Sequence, residues 1–326
     1  MSFAIFYVVN MQREKAVQPA SQIIQGIQAE IAKSPRNSSL RVRLGEAYLA
    51  QGDTDAAIDA LNTAVEIDKK NGSAYLVLGF AHMGAEDDNE ALKAFLKAIE
   101  VRESGEYSGM DTILEQGHFY AGVIYYRQKN YDEAIVQLKS AARINKSSSD
   151  THFYIGKAYA AKKWYGKAMQ EFNVAVTFDP KLAEAQYELG RLFERQGDKV
   201  QAVTRYRLAV QAMPNRKEPK EALARFGTED SHYAAGNAFM KKKNYAAAIK
   251  EFNMAIAFDP GFVNAYQLLA QAYNKTGQRA NAQYALGQMY ERSGQTAKAV
   301  RAYRKALKIS PGFRSARDAI TRLVGK

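Results

Sequence analysis

The sequence predicts an all-α chain built from repeated antiparallel helix pairs, and three observations carry that reading. Seven glycines (Gly45, Gly79, Gly122, Gly156, Gly190, Gly236 and Gly287) are each followed by Ala at 12 residues, by Leu, Phe or Tyr at 16, and by Ala at 19. Helix-ending residues recur in phase with these anchors: Gly52, Gly197 and Gly294 stand seven after one, and Pro180, Pro214, Pro260 and Pro311 stand 24 after one. The composition is that of an ordinary folded protein without covalent staples, 47% hydrophobic and 25% charged, with no Cys.

Each slot has a physical reason. Two helices that cross closely need Gly on one and Ala on the other, and the bulky residue at 16 fills the space beside them at interior density. A glycine just past a helix accepts the left-handed conformation that ends it. Proline cannot continue a helix, so it stops the second one. A single pair cannot bury its apolar faces alone, so neighbouring pairs must stack.

Successive anchors lie 34, 43, 34, 34 and 46 residues apart. A further unit anchored at Ala270, with Gly277 at its helix end, lies 34 past Gly236, and Gly287 follows after only 17 more. A 34-residue period with this slot pattern resembles the tetratricopeptide repeat family, over roughly Ser38 to Phe313. The resemblance implies a right-handed superhelical solenoid. It also implies a non-catalytic scaffold for protein–protein interaction that takes a peptide or protein segment in a concave groove lined by the first helix of each pair.

The expected organisation runs in order. Residues 1–18 are a short apolar segment and 19–37 an N-terminal helix with the stripe Ile23, Ile27 and Ile31. Residues 38–216 form a five-repeat array with an insert near 106–114. Residues 217–228 are a linker or short helix and the expected hinge. Residues 229–313 hold the C-terminal repeats with a half-repeat step, and 314–326 a capping helix. From Phe3 to Val9 the start of the chain is apolar, but seven residues fall short of the roughly 20 that cross a bilayer. Two readings stay open: an end that docks on the first helix of a cytoplasmic protein, or the end of a membrane anchor, with residues 3–9 touching the membrane.

Catalysis is disfavoured. No nucleotide-binding, zinc-protease or serine-hydrolase motif is present, and without Cys there is no thiolate chemistry. His118, His152 and His232 stand four before their anchors and His82 three after its own, which are packing slots held elsewhere by tyrosines. No cofactor or metal is expected.

The groove is read from positions three before, one after and four after each anchor. Units two to four place Leu76, Phe80, Met83, Phe119, Val123, Tyr126, Phe153 and Lys157 there, an apolar and aromatic stripe of the kind that marks a partner site. The later units place Tyr187, Arg191, Tyr233 and Asn237 there, within a polar, mixed-charge stretch. Gly236–Asn237 matches one element of the family's clamp for a C-terminal carboxylate. Tyr233 stands where that clamp needs Lys, so this mode is not expected. The net charge of +12 keeps an alternative open, a basic adaptor that meets nucleic acid or anionic lipid through its convex face. Glu184, Glu188, Glu194 and Glu291 interrupt the continuous basic track that nucleic acid needs.

Overall fold

The structure, a computed structural model, describes residues 20–103 and 111–325. The apolar segment 3–9 and the first residues of the insert near 106–114 lie outside the described residues. The chain divides into two compact units, Met1–Pro180 and Lys181–Lys326. The stretch 217–228, expected as a linker or short helix and as the hinge, lies within the second unit.

In the first unit the first described helix, α1 (Ala20–Lys33), precedes four hairpins: α2 (Ser38–Gln51) with α3 (Thr54–Ile67), α4 (Gly72–Gly84) with α5 (Asp88–Glu103), α6 (Thr112–Arg127) with α7 (Tyr131–Ile144), and α8 (Ser149–Ala161) with α9 (Tyr165–Phe178). Helix starts are written in the sequence. Asn37, Asp53, Asn71, Asp111 and Ser148 each accept a hydrogen bond from a backbone N–H of the first turn. Arg102 Nε donates to the Asp111 carboxylate at 2.7 Å, nine residues on. On α1 the buried stripe is Ile24, Ile27 and Ile31, set against Leu44 and Ala60. Ile23 is 42% exposed, which corrects the expected stripe by one residue, about 100° around the helix.

The second unit begins with the hairpin α10 (Ala183–Arg195) and α11 (Lys199–Ala212), followed by the short α12 (Lys217–Ala224). The hairpin α13 (Glu229–Lys241) and α14 (Tyr245–Phe258) comes next. Then follow α15 (Val263–Lys275), α16 (Arg279–Arg292), α17 (Thr296–Ile309) and α18 (Arg314–Val324). α12 buries Pro219 and Ala222. Beside it α11 packs directly on α14, with Val203 against Met254 and Ala257, and Arg207 Nε donates to the Ala257 carbonyl at 3.0 Å. α16, where the half-repeat step was expected, packs on α15 before it and on α17 after it.

The crossing slots behave as the sequence demands. A Cβ on Gly156 would stand 2.6 Å from the ring of Phe172, and one on Gly45 would stand 2.5 Å from Leu61. The first helix of each pair ends on a left-handed residue seven after the anchor. Gly52, Gly197, Gly277 and Gly294 take that place, but so do Glu86, Lys129, Lys163 and Lys243, at φ of 57° to 64°. A second recurring contact joins the helices of a pair. His118, His152 and His232 each place Nδ1 2.7 Å from a side-chain oxygen 19 residues on, in Gln137, Glu171 and Glu251. Arg205 and Gln186 make the same link with the roles exchanged.

Candidate partner-binding site

The first helices of the N-terminal unit carry aromatic residues on the face expected to line a groove, and these rings touch from one repeat to the next. Phe80 meets Tyr120 edge-on at 4.7 Å between centroids, Tyr120 meets Phe119 at 5.0 Å, Phe119 meets Tyr154 at 5.7 Å, and Tyr154 meets Phe153 at 5.6 Å. Edge-to-face pairs of this kind add stability beyond their area. The linking rings, Tyr120 and Tyr154, both stand two before an anchor. Sequence reasoning missed that position, although the recurrence of Tyr in two successive repeats was a usable signal.

The ladder changes the meaning of the expected stripe. Leu76, Phe80, Met83, Phe119, Val123 and Phe153 are all buried, so they do not form an open apolar surface. Leu76, Phe80 and Met83 share a core with Phe95, Ala121 and Ile124 of this and the next repeat. Burial on a first helix is decided by the neighbouring repeat, which slot counting within one repeat does not see.

What the face does offer is Tyr126 and Lys157, both half-buried. The Lys157 ammonium lies 4.8 Å from the Tyr126 centroid, 5.0 Å from Tyr154 and 5.4 Å from Phe153. A cation over several rings is held by their quadrupoles. At the other end of the unit burial raises the Glu46 carboxyl above the usual range, against the opposing pull of Arg43.

In the C-terminal unit the expected residues have other duties. Tyr187 packs on Tyr206 at 5.6 Å, and Tyr233 lies between Phe252 and Phe262. Arg191 is exposed and donates to both oxygens of Glu188 at 3.1 Å. Asn237 Nδ2 donates to the Tyr233 carbonyl of its own helix at 3.1 Å. A cavity of about 700 Å³ opens beside α12, lined by Lys199, Arg225, Phe226, His232 and Glu251 among others. Among the described residues no group of His, Asp or Glu could hold a metal ion, and no helix is long and apolar enough to cross a membrane.

Family models described as TPR repeat match residues 45–84, 122–163 and 236–277. Models described as tetratricopeptide repeat match 72–104, 184–216 and 280–313. The chain belongs to the tetratricopeptide repeat family. As a tetratricopeptide repeat protein it is an interaction scaffold, an all-α stack of helix pairs. Its repeats share their fold with the crystal structure of YrrB, a TPR protein described as having an unusual peptide-binding site. That likeness has 17% identity and a TM-score of 0.51, over 60% of this chain and 96% of that one. The C-terminal part of a TPR repeat-containing protein from Cytophaga hutchinsonii is similar at 17% identity and a TM-score of 0.50, over 82% of this chain and 98% of that one. No curated protein matches the sequence.

Proposed function

We propose that this scaffold is non-catalytic and holds a peptide or protein segment in a groove along the first helices of its N-terminal unit, in service of a membrane-associated complex. The ligand's apolar side chains lie against Tyr126 and the rims of the aromatic ladder, and a carboxylate of the ligand meets Lys157. One observation carries this reading. The Lys157 ammonium is positioned over three rings at the half-open part of the face, where an acidic group gains a charge-assisted hydrogen bond and its neighbours gain aromatic contact. Aromatic residues supply rigid contact area at small entropic cost.

The test uses the full chain with a photo-crosslinking residue in place of Tyr126, exposed to native extract, with the attached segment sequenced. The expected adduct is a segment with Asp or Glu flanked by apolar residues, and Lys157→Glu lowers its yield by at least about tenfold. Equal yield from Lys157→Glu, or attachment only to segments without a carboxylate, overturns the assignment. Phe119 and Phe153 are unsuitable for the same test, because a charge placed at either buried ring disrupts the fold itself.

A further inference from the structure

We propose that the turn between α8 and α9 is a docking point for an anionic bilayer surface, on a part of the molecule distinct from the aromatic ladder. The turn carries Trp164, the single tryptophan of the chain, which is 44% exposed. Two ammonium groups already sit over its ring, Lys162 at 4.4 Å and Lys167 at 4.5 Å from the centroid. Tyr159 packs beside it at 5.7 Å and is itself overlaid by Lys139 from α7 and by Lys167. Val136, 61% exposed, lies on α7 between Asp132 and Lys139. Asp132 pairs with Lys162 and Lys139 reaches Tyr159, so Val136 belongs to the same patch.

The charge of this patch is not satisfied from within. Asp132 is taken by Lys162, and among the described residues Lys139, Lys163 and Lys167 are paired with no carboxylate. Lys163 stands at φ 60° and Lys129 of the preceding turn at φ 64°, a conformation that Glu86 and Lys243 share at the equivalent turns and that glycine takes at 52, 197, 277 and 294. Successive turns here both carry a lysine, and Lys162 ties the second turn to the start of α7 just after the first.

The combination identifies the occupant. An exposed indole and an exposed valine ringed by unpaired lysines match a bilayer boundary, where tryptophan sits at headgroup level and lysines meet anionic lipid. Single-stranded nucleic acid would need an open aromatic face for stacking, and the Trp164 ring is already overlaid by ammonium groups.

Co-sedimentation of the full chain with phosphatidylcholine vesicles, with and without phosphatidylglycerol, tests the proposal. Binding is expected only to vesicles containing phosphatidylglycerol, and it falls as salt is raised. Lys163→Gly weakens it about fivefold, the contribution of one lysine near an anionic surface, while raising the melting temperature because the backbone strain is relieved. Trp164→Ala weakens it as well, with the fold intact, since this side chain makes no capping hydrogen bond. Equal binding to neutral vesicles, no vesicle binding, or binding unchanged in both variants overturns the proposal. So does a single-stranded oligonucleotide that binds the wild type and not Trp164→Ala, which would assign the patch to nucleic acid.

Discussion

The Arg225 guanidinium lies 3.1 Å from the carboxylate of Glu194, 31 residues earlier. Arg322 holds Glu291 over the same interval, and each glutamate also accepts from a buried tyrosine at 2.7 Å, Tyr206 in one case and Tyr303 in the other. The short α12 therefore occupies the place that α18 occupies at the end of the chain. Both stand where the first helix of a pair would stand.

That equivalence predicts unequal roles within each triad. Glu291→Ala leaves the buried Tyr303 hydroxyl without an acceptor and costs about 1–3 kcal/mol. Arg322→Ala removes an exposed partner and costs at most about 1 kcal/mol. Urea unfolding followed by circular dichroism separates the two, and equal costs would refute the assignment.

Gly156→Ala is expected to destabilise despite the better helix propensity of alanine. The new methyl meets Phe172, and overpacking of this kind costs about 1–3 kcal/mol, against about 1 kcal/mol gained from propensity. Phe172→Leu in the same chain should recover part of the loss, because it reproduces the pairing of Ala270 with Leu286 at the same interval. A double-mutant cycle reads the coupling.

The His152 imidazole is held above its ordinary pKa, mainly by its hydrogen bond to Glu171, with burial acting the other way. A group raised on folding stabilises fully below its unfolded value and loses that contribution as pH rises through the folded one. The melting temperature of the wild type, less that of His152→Asn, should therefore fall as pH climbs above about 6.5. A flat difference from pH 6 upward would show that the contact does not titrate.

Lys129→Gly should raise the melting temperature, by relief of the left-handed backbone at that turn, about 1 kcal/mol. Gly197→Lys should lower it by a similar amount, since it imposes the same conformation on a residue with a Cβ.

Most of the fold was legible because its constraints are local to one pair. Gly156 must face Phe172 whatever the neighbouring repeats contain, and 12, 16 and 19 are intervals within a hairpin. The half-repeat step is read from the same local intervals, since Leu286 and Gly287 occupy slots of two overlapping pairs. The candidate site was less so. Whether Phe80 or Phe119 reaches solvent depends on Tyr120 and Tyr154, which belong to no slot that repeats through the whole chain. The stretch 217–228 read as a hinge because its spacing broke the period. Its Pro219 and Ala222 nevertheless bury themselves, and only the packing of α11 on α14 reveals that the repeats on either side of it meet directly within the second unit.

The double allegiance of α16 has a consequence for how the molecule comes apart. Repeat arrays ordinarily open one module at a time, since each pair carries its own cohesion and touches only the next. A helix that belongs to two pairs at once cannot be released by either alone. The segment from α15 to α17 should therefore open as a single cooperative block, its backbone amides reporting one common opening free energy in hydrogen exchange.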